Sequence, residues 1–235
     1  MLLKVNKSLN FSKKTRSLRI IRYLIIHYSG MQSARVSMNR LKNLKSKVSC
    51  HYFIKRNGNV YRMVEDNKIA WHAGKSKWRD FDNLNKHSIG IEIQNKGHLI
   101  SYQKFSKKQI FSLIKLIKKL MKKYKITKRN ILGHSDIAPL RKLDPGEKFP
   151  WNFLSKKGVA VWYPKTKLKT YDTNLKTRRK IFFRNLYKIG YRYFSLSKKS
   201  YNDRKIIMAF QRRFLPKDVN GKITDKTLKI SQLLA

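Results

Sequence analysis

Only 12 of the 235 residues are acidic and only six are histidine, so the groups able to act as a general base or to hold a metal can be placed individually. Most of the acids fall in turns and polar stretches; Glu92 and Asp144 do not. Glu92 lies inside Ser88-Ile89-Gly90-Ile91-Glu92-Ile93, a strand pattern in which a carboxylate is costly unless it faces a polar cavity or a cation. Asp144 sits in Lys142-Leu143-Asp144-Pro145-Gly146, ten residues after His134, where an aspartate before Pro-Gly can also serve simply as a turn former. His27 ends an apolar run. Together His27, His134 and Asp144 could supply the two-histidine, one-carboxylate set of a catalytic zinc, with a fourth position left for water. Spacing alone leaves the other reading open, in which each is a satisfied core or surface residue.

The elements that must position these groups are legible in outline. Ile20–His27 is an apolar, β-rich run that predicts a buried strand. Ser33–Leu44 has helical spacing. Segments 51–56 and 59–64 flank Asn57-Gly58 and predict a hairpin. Ser106 and Gln109 form a capping box, with Phe105 and Ile110 as a hydrophobic staple. The helix that follows keeps Ile110, Leu113, Ile114, Ile117, Leu120, Met121 and Tyr124 on one face and lysines on the other; packing against a sheet accounts for it better than lying on a membrane. Between Asn130 and Trp151 the pattern breaks into a Pro- and Gly-shaped loop. Leu175–Ile189, Ser200–Phe214 and a last short helix from Thr224 make an all-helical segment.

A net charge of +45 draws the chain toward anionic partners without choosing among nucleic acid, acidic lipid and a carboxylate-bearing polymer. Lysines are scattered through every segment, which fits solvated faces. A hydrophobic fraction of 41% is enough for a packed core. One cysteine, Cys50, excludes an intramolecular disulfide framework and multi-cysteine zinc sites. No transmembrane segment is visible. Met1–Arg19 is basic without an apolar signal region, so the expected address is the cytoplasm, with the periplasm or cell envelope as the alternative.

Five separated motifs carry a resemblance: Tyr23-Leu24-Ile25-Ile26-His27-Tyr28-Ser29; Val48 to Ile54; Trp71-His72-Ala73-Gly74; Ser88 to Ile93; and Gly133-His134-Ser135-Asp136-Ile137-Ala138-Pro139 through Arg141-Lys142-Leu143-Asp144-Pro145-Gly146 to Phe149-Pro150-Trp151. In order and spacing they resemble the zinc-dependent N-acetylmuramoyl-L-alanine amidases, whose fold is shared with peptidoglycan recognition proteins. The resemblance implies an α/β fold with a mixed central sheet flanked by helices. It implies one Zn2+ per chain on His27, His134 and Asp144, and catalytic roles for Glu92 as proton shuttle and Lys142 as oxyanion partner. Relatives carry a catalytic tyrosine where this chain has Cys50, expected here to be a packing residue. His72 and Trp71, with His51, are the expected substrate-side residues; shaping the loop or supporting the site is their alternative role. His87 and His98 are expected to be solvated.

The implied substrate is peptidoglycan or its muropeptide fragments, anhydro-muropeptides included, cleaved between N-acetylmuramic acid and L-alanine. A noncatalytic recognition protein would lack a ligand, and none is missing. A nucleic-acid-binding reading rests on charge and interleaved aromatics, with no specific motif behind it. Leu186 to Tyr191, Ile207 to Phe214 and Val219 to Leu228 resemble the three-helix peptidoglycan-binding domain. The expected organisation is a basic tail at 1–18, an amidase domain at 19–163, a linker at 164–172 and a helical domain at 173–235.

Overall fold

A strand that is apolar at nearly every position can be buried on both faces, and β3 (Tyr23–Tyr28), buried except at Tyr28, occupies that place. The computed structural model describes residues 3–164 and 175–235; the expected linker at 164–172 lies outside them except for Pro164. β3 pairs in parallel with β9 (Ser88–Ile93) on one side and β10 (Ile131–Gly133) on the other. The six-stranded mixed sheet is completed by β4 (Tyr52–Ile54), β5 (Val60–Arg62) and β1 (Leu3–Val5), in the order β1-β5-β4-β9-β3-β10, with only the β4–β5 hairpin antiparallel. Two small antiparallel pairs sit outside it, β2 (Phe11–Thr15) with β6 (Lys68–Ala70) and β7 (Lys77–Trp78) with β8 (Phe81–Asp82).

Alternation along the central strands divides the core. Leu24, Ile26, Ile89, Ile91 and Ile93 pack against α2 (Lys107–Tyr124) and α4 (Trp151–Lys156). The predicted capping box of α2 is formed by Ser106 and Gln109. α1 (Ala34–Lys42) covers Phe53 and Cys50 through Met38 and Leu41. On the opposite face Tyr23, Ile25 and Leu132 share a core with Phe182, Phe183, Tyr191 and Phe210. Those aromatics belong to the helical segment, α5 (Leu175–Ile189), α6 (Asp203–Phe214) and α7 (Asp225–Leu234), which therefore covers one side of the sheet.

Two expectations change here. Residues 1–18 are not simply a basic tail, since β1 and β2 pair with the sheets. Arg16, 6% exposed, threads behind the central strands. Its Nε donates to Asp66 O at 3.0 Å, Nη1 to the carbonyls of Asn85, Lys86 and Ser88 at 2.8–3.0 Å, and Nη2 lies 2.9 Å from His51 Nε2. A guanidinium carries five N–H donors in a fixed fork, so one side chain ties β2 to the start of β9. Burial lowers its pKa to about 10. The region from 130 to 151 is not all loop: it holds β10, the single turn α3 (His134–Ile137) and the start of α4. Three strand residues were too few to show a period. Among the described residues no helix is long and apolar enough to cross a membrane.

Candidate metal centre and active site

The parallel register places His27 beside Glu92 on β9, while β10 on the other side of β3 delivers His134 at its end. Asp144 follows in the next loop, held by a backbone hydrogen bond from Ser135 N–H to Asp144 O at 2.8 Å. Three donor atoms converge as a result: His27 Nδ1 is 2.9 Å from His134 Nδ1 and 3.0 Å from Asp144 Oδ2, and His134 Nδ1 is 3.1 Å from the same oxygen. All three residues are buried. Donors about 2.0 Å from a tetrahedral zinc stand about 3.3 Å apart, close to the triangle seen.

Hydrogen bonding fixes which imidazole nitrogens are bare. Ser88 Oγ donates to Leu84 O at 2.5 Å, so toward His72 Nε2, 3.3 Å away, it can only accept. His72 Nδ1 is then an acceptor, and His27 Nε2–H donates to it at 3.1 Å. On the other candidate ligand, His134 Nε2–H donates to Ala73 O at 3.1 Å. Both Nδ1 atoms are left as lone pairs facing a carboxylate oxygen. Three acceptors with no proton between them repel, and a cation is the group that satisfies them together. The donor set thus fits zinc.

Charges follow from the same geometry. Burial lowers the His27 pKa to about 4, with the neighbouring His134 adding to it and Asp144 opposing, which keeps the ring neutral, as metal binding would require. Burial alone would raise Asp144, but the adjacent imidazoles of His134 and His27 hold it below the usual carboxylate range. Glu92 behaves in the opposite way: burial, then the Asp144 carboxylate, push it up to about 8, with Lys142 opposing. Its Oε2 is buried with no hydrogen-bond partner. Lys142 is half-buried, close enough for its charge to act on Glu92 and His27.

The expected substrate-side residues are placed differently. His72 is 8% exposed and stands behind His27, edge-on to its ring at a centroid distance of 5.1 Å. His51 is fully buried; its Nδ1 accepts from Gly90 N–H at 3.0 Å and its Nε2 faces Arg16. Neither offers a face to a substrate; both support the site from inside. Trp71 is half-buried and its Nε1–H donates to Ser12 Oγ at 3.2 Å. His98, expected to be solvated, bridges Tyr28 Oη at 2.8 Å and Glu147 Oε2 at 3.0 Å. Cys50 is buried against Met63, and burial raises its thiol pKa.

Several further residues support the site. A Cβ on Gly90 would lie 2.3 Å from His72 Cγ, so the glycine inside β9 leaves room for that ring; a glycine within a strand pattern was the available signal. Arg141 donates to Ala73 O and, at 2.8 Å, to Lys75 O, fixing the loop that accepts from His134. Asp136, 1% exposed, is reached by Tyr191 and Arg213 from the helical segment; nothing in the spacing could have paired them.

The model of the N-acetylmuramoyl-L-alanine amidase family matches residues 17–147. The amidase AmiD of Escherichia coli K12 is 34% identical over 230 residues, covering 91% of this chain and 82% of that one. The 1,6-anhydro-N-acetylmuramyl-L-alanine amidase AmpD of Haemophilus influenzae is 44% identical over 106 residues, 45% of this chain and 55% of the relative. Among solved structures, E. coli AmiD with anhydro-N-acetylmuramic acid-L-Ala-D-gamma-Glu-L-Lys superposes with a TM-score of 0.80 at 29% identity, covering 95% of this chain and 91% of that one. AmpDh3 of Pseudomonas aeruginosa gives 0.81 at 26% identity, with 97% and 96% covered. With a family match over more than half its length and a two-histidine, one-aspartate centre inside the matched fold, the chain belongs to the N-acetylmuramoyl-L-alanine amidases.

Proposed function

We propose that the chain hydrolyses the amide between the lactyl group of N-acetylmuramic acid and L-alanine in muropeptides, anhydro-muropeptides included, with one zinc held by His27, His134 and Asp144. The observation that carries this reading is the triangle of bare acceptor atoms with the unpartnered Glu92 carboxyl in the neighbouring strand. Zinc at such a site supplies Lewis acidity, lowering the pKa of a water and polarising a carbonyl. Glu92 takes the proton of the attacking water and returns it to the leaving amide nitrogen; an elevated pKa suits a group that must both accept and give. Lys142 faces the negative charge that develops on the carbonyl oxygen. His72 and Ala73 O keep the ligand rings turned. Substrates of the AmiD and anhydro-amidase relatives point to released fragments carrying free carboxylates, which a strongly basic surface would gather.

Mass spectrometry of digests tests bond and substrate form together. Anhydro-muropeptides are expected to yield free stem peptide and anhydro-muramyl sugar. Cleavage at any other bond, or none in zinc-loaded protein, would overturn the reading. A variant probes the support of the metal. Gly90→Ala is expected to displace the His72 ring and weaken zinc binding about 10–100-fold, as read by chelator competition; unchanged affinity would show that His72 does not hold His27.

A further inference from the structure

We infer that Arg213 and Tyr191, in the C-terminal helical segment, are positioning residues for the zinc ligand His134, acting through Asp136. This rests on the metal reading above. α3 is one helical turn, too short to fix its own direction, yet it begins with His134. Its orientation is set from outside. Asp136 Oδ2 accepts from Gly133 N–H at 2.8 Å and from Arg213 Nη1; Oδ1 accepts the Tyr191 hydroxyl at 2.6 Å. Arg213 Nη2 donates to Ile131 O at 3.0 Å, so one guanidinium grips the chain three residues before His134 and two residues after it. The guanidinium lies over the Trp151 ring at 4.2 Å, which fixes its plane. Its partner carboxylate and its own side chain are 1% and 5% exposed, so water offers no replacement.

Holding the helices to the sheet does not require this clamp. Tyr23, Ile25 and Leu132 already share an apolar core with Phe182, Phe183 and Phe210, which is adhesive but has no preferred direction. The buried ion pair and the two hydrogen bonds beside it supply direction, and they do so at the residues flanking a ligand. The same turn reaches the second ligand through the Ser135 N–H bond to Asp144 O.

The test compares zinc affinity, by competition with a chromophoric chelator, for the full-length wild type, Arg213→Lys, Tyr191→Phe and Asn185→Ala, with thermal unfolding of each metal-free protein alongside. Asn185 bonds Ser231 inside the helical segment at 3.0 Å, so its loss perturbs the segment without touching α3. Arg213→Lys is expected to weaken zinc about 10–100-fold and Tyr191→Phe several-fold, with an altered visible spectrum of the cobalt-substituted proteins. Asn185→Ala is expected to keep wild-type affinity at a lowered unfolding temperature. Zinc binding within twofold of wild type in both Arg213→Lys and Tyr191→Phe overturns the inference; should Arg213→Lys not fold, Tyr191→Phe decides alone. A wild type that binds no zinc overturns the metal reading itself, which the variants alone would not do.

Discussion

Replacing Glu92 by alanine is expected to leave about one zinc per chain while lowering turnover about 10²–10⁴-fold, the usual contribution of a positioned general acid–base group. The two halves of this expectation come from different observations. In the proposed site the metal rests on His27, His134 and Asp144, whose donor atoms lie within 2.9–3.1 Å of one another without Glu92. The Glu92 carboxyl has a buried oxygen with no partner, so it neither braces the ligands nor completes a salt bridge. Removing it relieves a buried polar group, and the fold should be no less stable in the metal-free state. Zinc content by atomic absorption, kcat on an anhydro-muropeptide and unfolding temperature are the three readings. A Glu92→Ala enzyme with near wild-type kcat would sink the proton-shuttle role, whereas loss of zinc would mean that the carboxyl is itself a ligand.

Stripping the metal should have an effect of the same order. Several kcal/mol of transition-state stabilisation come from a Lewis acid at such a site, or about 10³-fold in rate, and the chelated protein should regain full activity with one equivalent of zinc. Asp144→Ala should reproduce the loss without being rescued at stoichiometric zinc. Asp144 supplies the only negative charge among the three donors and is held ionised by both imidazoles, so its removal takes away the charge that makes the site selective for a dication over a proton. Chelated protein that continued to turn over at the wild-type rate would rule out metal-assisted hydrolysis.

How far the sequence reached can be seen residue by residue. Glu92 was conspicuous because a carboxylate inside a run of isoleucines is expensive, and His27 because it ends a strand buried on both faces. α2 was readable from its capping box and period, and α5 from its period alone. What stayed hidden was long-range and short in extent. β10 has three residues, too few for alternation, and its pairing with β3 is what brings His134 to His27. For His72, in a loop, and His51, at the start of a hairpin strand, residue type left substrate contact and support of the site both open; only the packing against Gly90 and Arg16 shows them facing inward. The helical segment resembled a separable binding module, yet Phe210 and Arg213, in its most recognisable helix, lie in the shared core. The pairing of Asp136 with Arg213 spans 77 positions, and no local pattern reports such a contact.

Arg16 precedes β3 and Arg213 lies in α6, and each donates into the backbone of a strand that carries the site, Ser88 O on β9 and Ile131 O on β10. The ligand residues themselves all fall between them. During synthesis at about 5–20 residues per second, a nascent chain that already displays His27, His134 and Asp144 still lacks Arg213 and its bond to Asp136, so α6 completes what β2 and Arg16 began. A prematurely terminated product would carry every ligand residue and still lack the clamp beside His134. Synthesis of α6 is thereby coupled to maturation of the site, since the bonds of Arg213 to Asp136 and Ile131 cannot form before it is made.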